Sequence, residues 1–151
     1  MPEPIIRISV REQRLDLLSG DGIRSSYPIS TSRFGLGSEE GSMKTPLGKF
    51  KIGEKIGDGL PRGTIFESRL PLAPDDPPPP TDDLVLSRIL WLDGLEEHNA
   101  NTRERFIYIH GTNHEEEIGT PASHGCIRMK NADLIALFDQ IPPGAEVVIE
   151  A

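Results

Sequence analysis

Apolar and polar residues alternate over two short segments near the start of the chain, residues 6–10 and residues 15–17. This period of two predicts β-strands that bury one face. A turn signal follows at residues 19–22, and a third strand is predicted over residues 23–30. We therefore expect the chain to begin with three consecutive strands that form a β-meander.

The second half of the chain contains a predicted buried strand and a predicted helix. Residues 84–92 form the most apolar run, which predicts a strand with Trp91 as a core anchor. Over residues 131–141 the apolar side chains recur on one face, and this spacing predicts an amphipathic helix capped by Asn131. A last strand is predicted over residues 147–149.

Between these elements the chain is rich in turn-forming residues. Residues 31–48 are glycine-rich and end in Thr-Pro-Leu-Gly, and residues 71–83 are proline-rich. Proline fixes φ and glycine accepts positive φ, so both are typical of turns and loops. We interpret the proline-rich segment as a solvated surface loop, with a lid beside a functional site as the alternative.

Composition favours a small, turn-rich fold. The chain has 151 residues, among them 15 glycines and 14 prolines, which suits one domain with a single core and many short strands. We expect a mostly β architecture with one helix packed on a sheet. The net charge of −8 argues against binding to nucleic acid or to an anionic membrane surface.

The sequence contains no evident targeting segment. No apolar stretch approaches the length of a membrane span, and the first ten residues lack the basic and apolar regions of a signal peptide. The chain as written is therefore expected in the cytoplasm, and a periplasmic or cell-wall location would follow if a leader had been removed. A single cysteine excludes an internal disulfide and a zinc site built on cysteines.

Candidate chemistry concentrates in residues 107–129, which contain the only cysteine, Cys126, and three of the four histidines. A thiol is a strong nucleophile as the thiolate, and an imidazole that accepts its proton can lower the thiol pKa from about 8.5 to ~3–4. Gly125 precedes the thiol, and glycine lets backbone N–H groups approach a reacting carbonyl. The pattern predicts a cysteine nucleophile for acyl transfer.

Two histidines are candidates for the base that activates Cys126. His124 shares a face with the thiol only if the segment is extended, whereas His110 follows a predicted strand at residues 106–109 that would hold it rigidly. We favour His110 as the base and assign His124 to the substrate pocket. His114 lies among acidic residues and is expected to be solvated or to stabilise its loop.

Arg128 and a metal site are open questions at this point. Arg128 is either a surface arginine paired with a carboxylate or a fork that binds a substrate carboxylate. Zinc is the alternative use of the histidines and the thiol. The spacings His110-x3-His114 and His124-x-Cys126 match no common zinc pattern, so we expect no metal.

Three segments around the thiol form one long motif: His110-Gly111-Thr112-Asn113, Ile118-Gly119 and Ser123-His124-Gly125-Cys126-Ile127-Arg128-Met129. This motif resembles the signature of YkuD-type L,D-transpeptidase catalytic domains. The resemblance extends to residues 13–15, 27–31 and 45–50, and so spans nearly the whole chain. The proline-rich segment is not part of the pattern.

The resemblance implies a fold and a set of roles. The fold is a single catalytic domain over residues 1–151, β-sandwich-like with one main α-helix near the C-terminus, and with a proline-rich loop insertion around residues 71–83. In the implied roles, Cys126 is the nucleophile, His110 moves the protons, and the carbonyl of Gly111 orients the imidazole. Gly125 and Cys126 supply N–H groups to an oxyanion hole, and Ser123, His124 and Arg128 complete the substrate pocket.

The resemblance also implies a reaction. Cys126 would attack the carbonyl at the L-centre of diaminopimelate in a peptidoglycan stem peptide, release D-alanine and retain a thioester. An amine would then resolve the thioester, making or exchanging peptidoglycan cross-links that determine cell shape. No cofactor is implied, and carbapenems are expected to acylate Cys126.

Three alternatives to a transpeptidase remain. The first is a cytosolic L,D-carboxypeptidase of murein recycling, which uses water as the acceptor and trims terminal D-alanine from tetrapeptides. The second is a non-catalytic domain that binds peptidoglycan or muropeptides, against which the pairing of His110 with Cys126 argues. The third is a general cysteine peptidase, against which the L,D-type motif argues.

Overall fold

The predicted strands pair into one sheet. The computed structural model describes residues 4–20 and 22–151. The strands are β1 (Ile5–Ser9), β2 (Arg14–Ser19), β3 (Gly22–Ser30), β4 (Gly48–Ile56), β5 (Ile65–Glu67), β6 (Leu70–Pro71), β7 (Val85–Gly94), β8 (Tyr108–Gly111), β9 (Ile127–Met129) and β10 (Glu146–Glu150). The α-helix, α1, spans Asn131–Phe138, and short 3-10 helices occur at Glu97–Asn99 and Glu115–Glu117.

The sheet closes on itself. Its strand order is β4-β10-β1-β2-β3-β9-β8-β7, and β7 pairs again with β4, so these eight strands form a barrel. A shift of register at Gly53 marks a β-bulge that lets β4 bend between its partners. The mostly β fold with one helix near the C-terminus is confirmed, and closure into a barrel replaces the expected sandwich-like arrangement.

The opening meander is confirmed. Strands β1 and β2 pair antiparallel with Ile6 opposite Leu17 and Ile8 opposite Leu15. All four side chains are fully buried, as the alternation of apolar and polar residues predicts. Strand β3 then pairs with β2. Asp21 of the predicted turn, and residues 1–3 of the N-terminal segment, lie outside the described residues.

Helix α1 is shorter than predicted. It ends at Phe138 rather than at residue 141, and Lys130 rather than Asn131 occupies the N-cap position. The side chain of Asn131 instead donates to the carbonyl of Thr112 (Nδ2–O 3.0 Å) and accepts from the hydroxyl of Ser87 (2.7 Å). Asn131 therefore ties the helix to the strands beneath it. Among the residues that the structure describes, no helix has the length and hydrophobicity of a membrane span.

Apolar side chains form two clusters. The larger one fills the barrel and includes the buried face of α1. The smaller one consists of Phe66, Ile89 and Tyr108, with Trp91 and Cys126 packed against it. The predicted strand at residues 84–92 is confirmed as β7, but Trp91 is only half-buried and belongs to the smaller cluster rather than to the barrel core.

Strands β5 and β6 and the proline-rich segment extend from the barrel. The hairpin of β5 and β6 pairs with the first residues of β7. Residues 72–83 then run along the surface, mostly exposed, and return to β7. The side chain of Asn113 holds the returning end, because it donates to the carbonyl of Asp82 (3.2 Å) and accepts from the N–H of Leu84 (3.1 Å).

Candidate active site

The parallel pairing of β8 with β9 assembles the site. Ile109 pairs with Ile127 and His110 pairs with Arg128, and both isoleucines belong to the core of the barrel. Because side chains alternate along a strand, His110 and Arg128 project from the opposite face. Cys126 lies two residues before Arg128 and so comes to the same face as His110. The sequence separates His110 from Arg128 and Cys126, and the strand register pairs His110 with Arg128 and places Cys126 directly before the start of β9.

The thiol of Cys126 lies against backbone groups at the start of β8 and just before it. Its Sγ donates to the carbonyl of Phe106 and accepts from the N–H of Tyr108, each at 3.3 Å. Burial raises the pKa of the thiol to about 12; the Tyr108 N–H acts in the opposite direction, and the charge of Asp83 raises the pKa further. This direction is opposite to the lowered pKa expected from the sequence. At neutral pH the group is therefore a thiol that must lose its proton as it reacts.

His110 is held as a neutral base. Its side chain is 1% exposed, and its Nδ1 lies 2.6 Å from the carbonyl oxygen of Gly111. A carbonyl can only accept, so Nδ1 carries the hydrogen and Nε2 keeps its lone pair. Burial lowers the pKa of His110, although the charge of Asp83 partly opposes this effect. The imidazole is thus oriented by Gly111 as the family resemblance implies.

Close packing accounts for glycine at position 111. A Cβ at this position would lie 2.1 Å from Oδ1 of Asn131 and 2.6 Å from the carbonyl oxygen of Leu86. Neither distance is compatible with a side chain, and the second involves backbone. Gly111 therefore allows helix α1 and strand β7 to approach the strand that carries His110.

The loop before Cys126 is fixed by side-chain hydroxyls. Ser123 Oγ donates to the carbonyl of Cys126 (2.6 Å) and accepts from the N–H of Gly125 (3.3 Å). Gly125 has a φ of +126°, a conformation that favours glycine. Because Ser123 occupies the N–H of Gly125 here, an oxyanion role for that group requires it to exchange partners, and the role stays a prediction.

Thr45 is a site residue that the sequence reasoning did not assign. Its buried hydroxyl donates to the carbonyl of Gly125 (3.0 Å) and accepts from the N–H of Ser32 (2.9 Å). The glycine-rich loop of residues 31–48 is thereby fastened to the loop that carries the nucleophile. The signal for this contact is the Thr-Pro-Leu-Gly sequence, which by composition alone predicts a turn and which also belongs to the family resemblance.

Arg128 is almost completely buried and ion-paired within the chain. Its side chain is 2% exposed; Nη2 lies 2.9 Å from Oδ1 of Asp83, and Nη1 lies 3.0 Å from Oε1 of Glu117. The other oxygen of Asp83 lies 3.1 Å from Nδ1 of His124. Substrate-binding roles for Arg128 and His124 stay predictions. The sequence reasoning missed Asp83, whose only signal was its position directly before the apolar run of β7.

His114 contacts the end of the proline-rich segment. His114 Nε2 lies 2.6 Å from the carbonyl oxygen of Asp82, so His114 holds the end of the proline-rich segment, as a loop-stabilising residue would. Within residues 4–20 and 22–151, no group of three or more His, Cys, Asp or Glu side chains is arranged to hold a metal ion.

Cations and aromatic rings form a wall beside the thiol. The guanidinium of Arg69, on the β5–β6 turn, lies 4.9 Å from the ring centroid of Trp91 and 5.0 Å from that of Phe106. It also donates to the hydroxyl of Tyr108 (3.0 Å). Phe106 and Tyr108 are the residues whose backbone contacts Sγ of Cys126. A ligand at the thiol would therefore have a positively charged neighbour.

A comparison with family models places this geometry in a known family. The model of the L,D-transpeptidase catalytic domain, YkuD, matches residues 3–149. The chain belongs to the L,D-transpeptidase family. This confirms the resemblance drawn from the motif around Cys126.

Two relatives described as putative L,D-transpeptidases are similar to the chain over nearly its whole length. The putative L,D-transpeptidase YqjB of Bacillus subtilis is 28% identical over 147 residues, which are 97% of this chain and 71% of that protein. The putative L,D-transpeptidase YkuD of the same organism is 27% identical over 154 residues, 99% of this chain and 70% of that protein.

A solved structure shares the fold. L,D-transpeptidase 3 of Mycobacterium tuberculosis, in complex with a faropenem-derived adduct, aligns with a TM-score of 0.65 at 15% identity. The alignment covers 99% of this chain and 61% of the mycobacterial chain. This chain is therefore clearly shorter than that L,D-transpeptidase.

Proposed function

We propose that the chain catalyses L,D-acyl transfer on peptidoglycan stem peptides, with Cys126 as nucleophile. The observation that carries the proposal is the register of β8 and β9, which brings His110 and Cys126 to one face with the imidazole oriented by Gly111. Membership of the L,D-transpeptidase family supports the substrate class.

The first half-reaction forms a thioester. As Sγ of Cys126 bonds to the carbonyl carbon of diaminopimelate, its proton passes to Nε2 of His110. The tetrahedral intermediate then breaks its C–N bond, and the imidazolium returns the proton to the departing amine of D-alanine. A base in place before the attack suits a thiol whose pKa is raised by burial, because the proton leaves as the bond forms.

The second half-reaction releases the acyl group. The incoming amine loses a proton to His110 as its nitrogen bonds to the thioester carbonyl, and the C–S bond breaks with the proton returning to Sγ. The product is a new amide, the cross-link. Water in place of the amine gives a free carboxylate instead, which is the L,D-carboxypeptidase outcome of the same acyl-enzyme.

The charged surroundings of the thiol support a substrate that carries carboxylates. Stem peptides present the carboxylates of diaminopimelate and of the terminal D-alanine. Arg69 lies beside the residues that contact Sγ, and its guanidinium is suited to a carboxylate because it offers several parallel N–H groups. We propose that the wall of Arg69, Trp91 and Phe106 borders the bound stem peptide.

One experiment tests the proposal and separates the two acceptors. The protein is incubated with a purified disaccharide-tetrapeptide, with and without an excess of an amine acceptor, and the products are identified by mass. Release of D-alanine only when the amine is present, with a mass that includes the amine, indicates a transpeptidase. Release of D-alanine without the amine indicates a carboxypeptidase. Unchanged substrate under both conditions would overturn the proposal.

Two variants and one control assign the chemistry. Cys126→Ala should abolish turnover, and His110→Ala should lower kcat by about 10²–10⁴-fold, the usual contribution of a general base. His98→Ala is the matched control, because the His98 side chain is largely exposed and lies against the carbonyl of Leu47. It should retain wild-type turnover.

A further inference from the structure

We propose that Asp83 is a positioning residue for His110, and that its carboxylate stabilises the imidazolium formed when His110 takes the proton of Cys126. This inference rests on the proposed role of His110 as the base. It gives a function to the residue that ends the proline-rich segment, which lies outside the motif that identifies the family.

The carboxylate of Asp83 is held in place from two sides. One oxygen lies 2.9 Å from Nη2 of Arg128, and the other lies 3.1 Å from Nδ1 of His124. The side chain is 22% exposed. Because Arg128 pairs with His110 in the register of β8 and β9, a carboxylate bound to its guanidinium is brought to the neighbourhood of the imidazole.

The charges around His110 explain why this carboxylate matters. Arg128 from β9 places a positive charge near the imidazole, and this charge disfavours a second one on His110. Burial disfavours the imidazolium more strongly still, whereas the charge of Asp83 and, after it, the hydrogen bond to the Gly111 carbonyl favour the imidazolium. Without Asp83, His110 would have to accept a proton in a buried site beside a guanidinium that keeps only the half-exposed Glu117 as its ion-pair partner.

Three other ionisable groups face the cluster of His110, Arg128 and Asp83. Cys126, from the loop before β9, is the proton donor. Glu117 pairs with Arg128 on its other terminal nitrogen and is 44% exposed. His124 contacts Asp83 and, through Nε2, Arg33 at 2.6 Å.

The ionised state of Asp83 is secured by its neighbours. Burial alone would raise the pKa of this carboxyl, but His110, His124 and Arg128 lower it, and the net direction is below the usual value of 3.8. The group is therefore a carboxylate at neutral pH. The same charge raises the pKa of Cys126, so Asp83 favours proton transfer to His110 while it disfavours a free thiolate.

These two effects of Asp83 have opposite consequences for two reactions of Cys126. Acylation by a penem uses His110 as base, so Asp83→Asn should slow it. Alkylation by iodoacetamide at alkaline pH needs only the thiolate, so the same substitution should accelerate it. Each change is expected to be about tenfold, which corresponds to one pKa unit, at the lower end of the effect of a nearby charge.

The measurement follows both rates by intact-protein mass spectrometry, with faropenem for acylation and iodoacetamide for alkylation. Opposite changes in the two rates would support the proposal, whereas a merely structural disturbance of the site would move both rates in the same direction. Asp83→Glu keeps the charge and should restore both rates to within a few-fold of wild type. Asp83→Ser provides a second neutral variant if Asp83→Asn does not fold.

Two matched controls isolate the position of the charge. Glu117→Gln also breaks an ion pair of Arg128, and Asp82→Asn removes the adjacent charge from a side chain that is 97% exposed. Both should leave the two rates near wild type. Equal effects of Asp83→Asn and Glu117→Gln, or no effect of Asp83→Asn, would overturn the inference. Failure of the proposed function would show separately, as absence of acylation in the wild-type protein while alkylation still responds to Asp83.

Discussion

Replacing Gly111 by alanine should damage the site through packing alone. The added Cβ would overlap Oδ1 of Asn131 at 2.1 Å and the carbonyl oxygen of Leu86 at 2.6 Å. The Asn131 side chain must move, and β7 or β8 must shift, because the Leu86 oxygen belongs to the backbone. The carbonyl of Gly111 that orients His110 moves with its strand.

The expected size of the effect follows from these contacts. Overpacking of this kind costs about 1–3 kcal/mol. Displacing Asn131 breaks one or two of its hydrogen bonds to Thr112, Ser87 and Glu115, at about 1 kcal/mol each. A total of about 2–5 kcal/mol corresponds to a fall in Tm of roughly 4–20 °C for a chain of this size. Misplacement of the base by about 1 Å should slow acylation of Cys126 by about 10²-fold.

The assay combines thermal unfolding with the rate of faropenem acylation. Gly111→Ala is compared with Asn131→Ala and with the double variant, which removes the side-chain obstacle but leaves the Leu86 oxygen. The double variant should be less destabilised than the sum of the two single variants, because the two substitutions share one contact. A Gly111→Ala protein with wild-type Tm and wild-type acylation would refute the packing explanation.

Three further predictions concern the thiol of Cys126, the base His110, and Thr45, which holds the loop before Cys126. Faropenem should add covalently to the wild-type protein and not to Cys126→Ala, and an adduct on the variant would place the acylated group elsewhere. Because burial lowers the pKa of His110 below its usual 6.5, the unfolded chain binds a proton that the folded chain does not, and stability should fall as pH decreases below about 6.5. The free energy of unfolding, measured with urea between about pH 5 and 7, should depend less on pH in His110→Gln than in the wild-type protein. Equal slopes in the two proteins would contradict this. Thr45→Val should lower the free energy of unfolding by about 1–3 kcal/mol, since it leaves the buried Gly125 carbonyl unpaired, and should slow acylation, whereas Thr64→Val at an exposed turn should do neither.

The sequence predicted elements whose side chains carry a periodic signal. The alternation around Ile6 and Leu15 identified β1 and β2, and the facing apolar residues identified α1. Barrel closure carried no such signal, because β4 pairs with β10 and with β7, which lie far apart along the chain. The sequence predicts Asn131 as a helix cap, whereas in the fold its side chain bonds to Ser87 and Thr112. These contacts depend on tertiary packing and leave no signal in the local sequence.

Site residues that belong to a local sequence motif were predicted, and site residues that reach the thiol or the base through long-range contacts were missed. Cys126 and His110 were selected from residue type and neighbouring glycines. Asp83 and Thr45 reach the site only through folding, so their local sequence describes a loop end and a turn. The direction of the thiol pKa was wrong for a related reason, since burial by β8 and its neighbours outweighs the favourable effect of the Tyr108 N–H.

Barrel closure divides the site into a rigid part and an adaptable part. Strand β9 pairs with β3 on one side and β8 on the other, and β8 is in turn paired with β7. The strands of His110 and Cys126 therefore have no free edge along which to shift, and backbone amides at residues 108–111 should exchange with solvent slowly. The β5–β6 hairpin pairs with the barrel through β7, and residues 72–81, which precede Asp83, are mostly exposed. Changes in these two segments can reshape the entrance for a different acyl donor or acceptor while Asp83 and the pair that performs the chemistry stay in place.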